Sequence, residues 1–322
     1  NTLQKELYKI NVNMVILSVG LEPRKDGEMI QRLLTLSRTQ DGFFMEAHPK
    51  LRPVDAATGG IFFAGCAEAP KDIKDSVTQA SAAASRAGIL MAKGRVTVEA
   101  ITPIAYPENC KVCGLCTKVC PYNAITLNKE LKRIEIIEAA CGGCGTCAAE
   151  CPFGALTQNH FTDEQILAQI DAVTECDADK KIVAFCCNWC AYAGADFAGV
   201  GRMQYPPNVR IIRTMCSGRV APKFIERAFA RGAAVVLVAG CHPGDCHYIN
   251  ANYQTQKRVE RFWEKMEEQG LNKERLQLLW ASAAEGERFA SKIREMQAIV
   301  EKVTLEEIGN AKKVFEKALG GG

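Results

Sequence analysis

Nowhere in the sequence does an apolar run last long enough to cross a bilayer. The longest strongly apolar stretch, Ala233 to Ala239, falls far short of the roughly 20 residues a spanning helix needs. No direct membrane insertion is therefore expected. The first residues, Asn1 to Ile10, are polar and amphipathic and carry none of the features of a secretory signal, which leads us to expect a cytoplasmic location. Charge of one sign is also missing. The 40 basic residues stand against 37 acidic ones and are scattered without interleaved aromatics, so there is no electrostatic footprint for nucleic acid. No G-x-G-x-x-G occurs anywhere, so a dinucleotide pyrophosphate, if one is bound, needs missing sequence or another chain. An initiator methionine is absent too. The chain begins inside what reads as a β-hairpin, and we expect an upstream part that was removed, left out or encoded separately.

What the sequence does have is cysteine: 16 in 322 residues, gathered at two- and three-residue gaps. Neighbours at C-x-x-C spacing rarely bridge within a structural framework but readily share a metal, so iron–sulfur ligation is the default in a chain without a secretory signal. At this length, with 48% apolar residues, two or three packed domains are expected. The predicted fold is multidomain, α/β and α+β. Residues 1–98 alternate strand and helix signals, and a resemblance set out below implies the end of a flavoprotein-type α/β domain; 99–160 read as a ferredoxin-like domain. Residues 161–179 form a connecting helix, and 180–322 an α/β domain with a mostly parallel sheet.

The run C-x-x-C-x-x-C-x-x-x-C-P occurs twice. Cys110, Cys113, Cys116 and Cys120 reappear as Cys141, Cys144, Cys147 and Cys151, displaced by 31 positions, with Pro121 and Pro152 repeated. In such runs the first three thiolates wrap one 4Fe–4S cube and the fourth reaches the other. One cluster is therefore assigned to Cys110, Cys113, Cys116 and Cys151, and the second to Cys141, Cys144, Cys147 and Cys120. Gly114, Gly142, Gly143 and Gly145 let backbone N–H groups approach the sulfurs. Two zinc sites are the bland alternative, disfavoured by the doubled run with both prolines. Short strands are expected at Ala124 to Leu127 and Ala155 to Thr157.

In the C-terminal region, strands are predicted at Ile182 to Phe185, Val209 to Arg213, Val235 to Ala239 and Leu276 to Ala281. Helices are predicted at Pro222 to Arg231, Thr255 to Gln269, Glu285 to Val300 and from Thr304 onward. Capping boxes are read at Thr162/Gln165 and Ser282/Glu285. Cysteines follow three of the strands: Cys186, Cys187 and Cys190, then Cys216, then Cys241 with Cys246. Parallel strands end on one edge, where α/β ligands bind, so these thiols should converge there. A 2Fe–2S cluster is the favoured occupant, with zinc and a dithiol/disulfide pair as alternatives. Cys187, Cys190, Cys216, Cys241 and Cys246 compete for four ligand positions, and spacing alone drops none. Cys186 should point to the other face, Cys176 reads as an unliganded thiol, and His242 and His247 as turn caps that bind nothing.

At the N-terminal end, Val12 to Val19 reads as a buried strand ending at Gly20, and Ile61 to Ala64 as a short strand stopped by Gly65. Pro70, Lys71 and Asp72 introduce a helix from Ile73 to Met91 whose core face is mostly alanine, suited to close approach of a sheet or a ligand. A helix start next to a glycine turn could stabilise the reduced edge of a flavin. It could equally be an ordinary strand–turn–helix.

Gly60-Ile61-Phe62-Phe63-Ala64-Gly65-Cys66, followed by Pro70-Lys71-Asp72-Ile73 and Ser76-Val77-Thr78-Gln79-Ala80, resembles the flavin-binding end of the A-type subunit of heterodisulfide reductase, which continues into a two-cluster ferredoxin domain. Cys187-Asn188-Trp189-Cys190, Ala193-Gly194-Ala195-Asp196, Met215-Cys216-Ser217-Gly218-Arg219 and the string from Gly240 to Tyr248 resemble the iron–sulfur (delta) subunit of methyl-viologen-reducing hydrogenase. The resemblance implies FAD at Gly65, Cys66, Lys71, Asp72, Ile73 and Gln79. Cys66 would touch it through backbone, since related flavoproteins often carry aspartate there, and Lys71 would approach the isoalloxazine. The resembling A-type subunit has an N-terminal nucleotide-binding half that this chain lacks, so the FAD would be shared with missing sequence or a partner chain. The implied role is that of an electron-transfer subunit. It would relay electrons from a hydrogenase- or formate-dehydrogenase-type donor through 2Fe–2S, FAD and 4Fe–4S centres, with B- and C-like reductase subunits as partners and flavin-based bifurcation among the options. The alternatives are a soluble subunit of a quinone-interacting membrane-associated oxidoreductase and a non-enzymatic iron–sulfur sensor or scaffold. Anaerobically isolated protein should contain iron and acid-labile sulfide together; an assay finding neither removes the thiolate–iron reading.

Overall fold

The computed structural model describes residues 7, 9–34, 36, 38–39, 41–48, 51–56, 58–94, 100–128 and 130–319. In its N-terminal part, α1 (Gly27–Leu34) precedes an antiparallel pair, β1 (Glu46–His48) and β2 (Arg52–Ala56). The core here is small, with Leu36, Ala56 and Phe63 buried and Phe44 stacked on Phe63 at 5.7 Å. The strand expected at 12–19 does not form. Its backbone has no regular structure, and Val15, Ile16, Leu17 and Val19 are exposed by 71%, 83%, 78% and 83%. An apolar run becomes a strand only when a neighbour accepts its hydrogen bonds and its side chains, and among the described residues no strand does so. The hairpin expected at its start falls largely on residues outside that description, as does the boundary at 98.

The stretch at 61–64 is less than a strand. It lies against β2 through one bridge, Phe62 to Asp55, and then enters a 3₁₀ turn at Gly65–Ala67. Helix α2 (Ile73–Lys93) is capped by Asp72, whose carboxylate accepts from Asp75 N at 2.7 Å, and it stops at Gly94 in the left-handed conformation. None of its residues is buried, and Ile73, Val77 and Met91 stand mostly in solvent.

The cysteine-rich module contains β3 (Pro103–Ala105), α3 (Leu115–Val119), β4 (Ile125–Asn128), β5 (Arg133–Ile136), α4 (Thr146–Ala149) and β6 (Leu156–Gln158). β3 pairs with β6 and β4 with β5, both antiparallel. Both short helices start after a left-handed glycine, Gly114 (φ 73°) and Gly145 (φ 75°), a conformation that costs other residues dearly. α5 (Asp163–Val173) follows, with the complete Thr162/Gln165 capping box.

The remaining elements are β7 (Ile182–Cys187), α6 (Ala191–Val200), β8 (Val209–Thr214), α7 (Pro222–Ala230), β9 (Val235–Gly240), α8 (Ala251–Glu268), β10 (Leu276–Trp280), α9 (Gly286–Val300) and α10 (Leu305–Leu319). The four strands form one parallel sheet in the order β10-β9-β7-β8. β7 and β9 are buried at every position, as strands covered on both faces must be. On one face, Val183, Phe185, Val236 and Val238 pack with α5, α7, α8 and α10, where Phe315 stacks on Phe229 and Phe262. On the other, Ile182, Ala184, Cys186, Val235 and Leu237 pack against α6 and α9. Helix α6 was not expected. At the Ser282/Glu285 box only half forms: Glu285 accepts from Ser282 N at 2.6 Å, but no side chain caps the helix start. Among the described residues no helix is long and apolar enough to cross a membrane.

The module docks on the sheet domain through α4, against the 3₁₀ turn Ser217–Arg219 that follows β8. Arg258 Nη1 donates to Glu150 at 2.7 Å and its Nη2 to Gly218 O at 2.6 Å, with the Arg258 side chain only 5% exposed. Removing one partner of a buried pair strands the other charge. Arg258→Ala should therefore lower the denaturant midpoint by the equivalent of about 3 kcal/mol, followed by loss of visible absorbance, while Arg258→Met with Glu150→Leu should recover most of it.

Candidate metal centres

The doubled run folds into two thiol groups. Cys110, Cys113, Cys116 and Cys151 line one cavity, closed by Gly114, Leu115, Ile134, Phe153 and Leu156. Three of these thiols come from the first run and one from the second. Cys120 lies instead within electrostatic reach of Cys141, Cys144 and Cys147. Burial pushes the Cys116 and Cys144 thiols up to about 11 and raises those of Cys141 and Cys147. These sites resist ionisation until a metal takes the proton's place, which is how metal loading becomes folding energy. Among the described residues no three such side chains gather at the spacing of ligands to a single ion. A 4Fe–4S cube is larger than an ion and spreads its thiolates further apart. The first group lies toward the surface, with Cys113 exposed, whereas Cys144 and Cys147 are buried.

The third group forms where β7, β8 and β9 end, beside the point between β7 and β9 where the chain runs from one toward β8 and from the other toward β10, the usual ligand position of an open parallel sheet. Cys187 and Cys241 approach to 3.8 Å between sulfurs. Cys190 acts electrostatically on the thiols of this pair, and Cys216 and Cys241 on that of Cys246, so all five lie within interaction range as one set. Acceptance from Cys190 and Cys241 holds Cys187 well below the usual thiol range. Acceptance from Cys216 and Cys241 does the same for Cys246. Cys190, Cys216 and Cys241 rise correspondingly, Cys216 chiefly through burial. Ala191 N, opening α6, donates to Cys187 at 3.3 Å.

The geometry brings all five competitors together. Cys186 continues the Ile182–Ala184 row and is fully buried, with burial raising its thiol. Cys176 is exposed. His242 Nε2 meets Glu285 at 2.5 Å, and His247 stacks on Trp189 at 3.8 Å, where burial lowers its pKa to about 4. Trp189 Nε1 donates to Tyr248 Oη at 2.9 Å, locking the two cysteine-bearing loops together.

The residues assigned to FAD lie at the start of α2. Gly65 has φ 66° and its α-carbon faces Ser76, and Cys66 Sγ lies 3.5 Å from Lys71 O. Lys71 pairs with Glu68 at 3.3 Å, and Gln79 donates to that same carboxylate. These residues and the uncovered helix face make one open wall. Lys71 and Gln79 are tied to Glu68, while Cys66, Asp72 and Ile73 stand exposed at the open start of the helix.

Sequence reasoning missed the connection between the second and third thiol groups. Tyr122, two residues after Cys120, lies over Gly142, where an added side-chain carbon would come within 2.5 Å of Cζ. Its ring packs into the buried cluster that holds Cys144, Cys216, Cys246 and Tyr248. Nothing in its spacing marks it; only the docking of the two domains gives it two neighbours.

Fold and thiol groups together define a multidomain iron–sulfur protein. Residues 109–155 match the 4Fe-4S dicluster domain, and residues 182–304 match the methyl-viologen-reducing hydrogenase, delta subunit. The A-type subunit of the ferredoxin/F420H2-dependent CoB-CoM heterodisulfide reductase of Methanosarcina acetivorans is 46% identical over 321 residues, 98% of this chain and 39% of that protein. The A-type subunit of the ferredoxin:CoB-CoM heterodisulfide reductase of Methanosarcina mazei is 44% identical over 94% of this chain and 38% of its own length. The D-type iron-sulfur subunit of the F420-non-reducing hydrogenase vhc of Methanococcus voltae is 60% identical over 111 residues, 34% of this chain and 77% of that protein. The chain belongs to the family of heterodisulfide reductase A-type subunits, in a form fused to a hydrogenase delta-subunit domain. It spans about two fifths of the length of the two A-type relatives.

Replacing Cys187, Cys190, Cys216, Cys241 and Cys246 one at a time by Ala should abolish the visible circular dichroism of the C-terminal centre in four variants and preserve it in one, which identifies the non-ligand.

Proposed function

We propose that this chain is an electron-transfer subunit of a heterodisulfide-reductase-like oxidoreductase complex, relaying electrons from a hydrogenase- or formate-dehydrogenase-type donor. Its cofactors would be a 2Fe–2S cluster on four of the five C-terminal thiols, 4Fe–4S clusters on the two thiol groups of the module, and FAD on the wall at Gly65, Cys66, Lys71, Asp72, Ile73 and Gln79. When bound, these groups accept and pass on single electrons, and a flavin can split a pair between a high- and a low-potential route.

The observation that carries this reading is the continuity of the thiol groups. Cys144 of the module and Cys216 and Cys246 of the sheet domain belong to one buried cluster with Tyr122 among them. That seam excludes water from the gap between two redox sites and holds their separation fixed. The group at Cys110, Cys113, Cys116 and Cys151 is rimmed by the exposed Leu115 and Phe153, a surface suited to a partner. B- and C-like reductase subunits are the partners we assign, and the rest of the FAD site would come from further polypeptide. The D-type relative is by name a hydrogenase subunit, which supports a hydrogenase-type donor, whereas the names of the two A-type relatives carry ferredoxin and F420H2.

Anaerobic paramagnetic resonance of the reduced holoprotein should show both cluster types, with the 2Fe–2S signal persisting to higher temperature. A spectrum with one type only overturns the assignment of the C-terminal centre.

A further inference from the structure

Arg219 is fully buried and lies in the docking seam. It belongs to the sheet domain, yet its side chain crosses to the module. A side-chain carbon added to Gly145, between Cys144 and Cys147, would come within 2.6 Å of Arg219 Cδ. Its Nε and Nη2 donate to Phe161 O at 3.1 and 2.9 Å, and Nη2 also donates to Asp163. Nη1 is buried and has no hydrogen-bond partner among the described residues. An orphaned charged donor is costly to keep buried, and the contact at Gly145 sets this guanidinium's stem beside the turn between Cys144 and Cys147. Two carboxylates, Asp163 and Glu164, act on the guanidinium. Asp163 also pairs with Lys223, so neither cation is neutralised outright. Arginine does not lose its proton in a protein, so this charge is permanent.

We propose that Arg219 is the potential-setting residue of the inner 4Fe–4S site, the one lined by Cys120, Cys141, Cys144 and Cys147: a fixed cation from the neighbouring domain, buried against the Gly145 turn that separates two of that site's thiols, with one N–H unpaired among the described residues. This rests on the cluster assignment above. Each electron added to a cluster makes it more negative. Positive charge and N–H donors beside it therefore favour the reduced form and raise its potential. The cation lining the outer site at Cys110, Cys113, Cys116 and Cys151 is Lys111, which is exposed, so water and salt screen its charge. The two sites, alike in sequence, thereby become unlike, with the inner one the easier to reduce.

The test is a redox titration of the anaerobic holoprotein followed by paramagnetic resonance, comparing wild type with Arg219→Gln, Arg219→Lys and Asp163→Asn. One of the two 4Fe–4S waves should move to lower potential in Arg219→Gln, stay close to wild type in Arg219→Lys, and move to higher potential in Asp163→Asn, where an opposing carboxylate is lost. The other wave should not move. If Arg219→Gln does not retain iron, the opposite-signed shift in Asp163→Asn decides. Both waves fixed in iron-replete variants, or both moving together, overturns the role of Arg219. Absence of 4Fe–4S signals from the wild type fails the underlying cluster reading instead.

Discussion

Two guanidinium groups held away from water, Arg219 and Arg258, govern how the cysteine-rich module sits on the parallel sheet. A buried cation tolerates few arrangements, because each N–H must find an acceptor and the charge a counter-charge. Arg258 finds Glu150 at the end of α4 and Gly218 O in the turn after β8; Arg219 finds Phe161 O and Asp163 at the start of α5. Every acceptor lies either on the module, on the segment that leaves it, or on the turn carrying Cys216. These contacts, which still leave Arg219 Nη1 and Arg258 Nε unpaired among the described residues, are thus the same ones that set the second thiol group against the third. Small residues complete the fit. Gly218 has no room for a side chain beside Thr146 and Ala251, and Gly145 none beside Gln158 and Arg219.

The sheet does the other half of the positioning. In a parallel arrangement every strand delivers its carboxyl end to the same edge, and the order β10-β9-β7-β8 leaves a crevice between β7 and β9, whose onward connections diverge. Cysteines separated by dozens of residues meet there because each follows a strand. The N-terminal part offers a contrast. Its core is a handful of residues, and α2 shows an uncovered face over its whole length. Burial is thus concentrated where the thiol groups meet, and it is least around α2.

Much of this was legible from residue pattern alone. Val235 to Ala239 could hardly be other than a central strand, and the Thr162/Gln165 box marked the start of α5 within a residue. The 31-residue repeat identified the module, and the strand-end cysteines announced their own convergence. Local pattern failed where the deciding partner was remote. Val12 to Val19 has strand composition, but composition cannot supply the neighbour. Helix α6 is rich in alanine and glycine and carries little periodicity, so its existence depends on packing against α9. Tyr122 and Arg219 look like ordinary residues of a turn and a loop. They acquire meaning only from the docking of two domains, a long-range event that no window of neighbouring residues encodes. Lys71 and Gln79, singled out by resemblance, both point at Glu68, an interaction that motif matching does not anticipate.

The two ladders of the module have a history written into them. β3 and β4 belong to the first copy of the repeat, β5 and β6 to the second, and each ladder joins a strand of one copy to a strand of the other. Neither copy contains a pair of its own. A solitary ancestral unit would have had two open strand edges, and a second molecule of the same unit, turned through half a circle, would have closed both at once. Joining two such units in one polypeptide makes that pairing intramolecular. The halves meet the sheet domain differently: the second presents α4 to the turn at Ser217–Arg219, whereas the first contributes the ring of Tyr122.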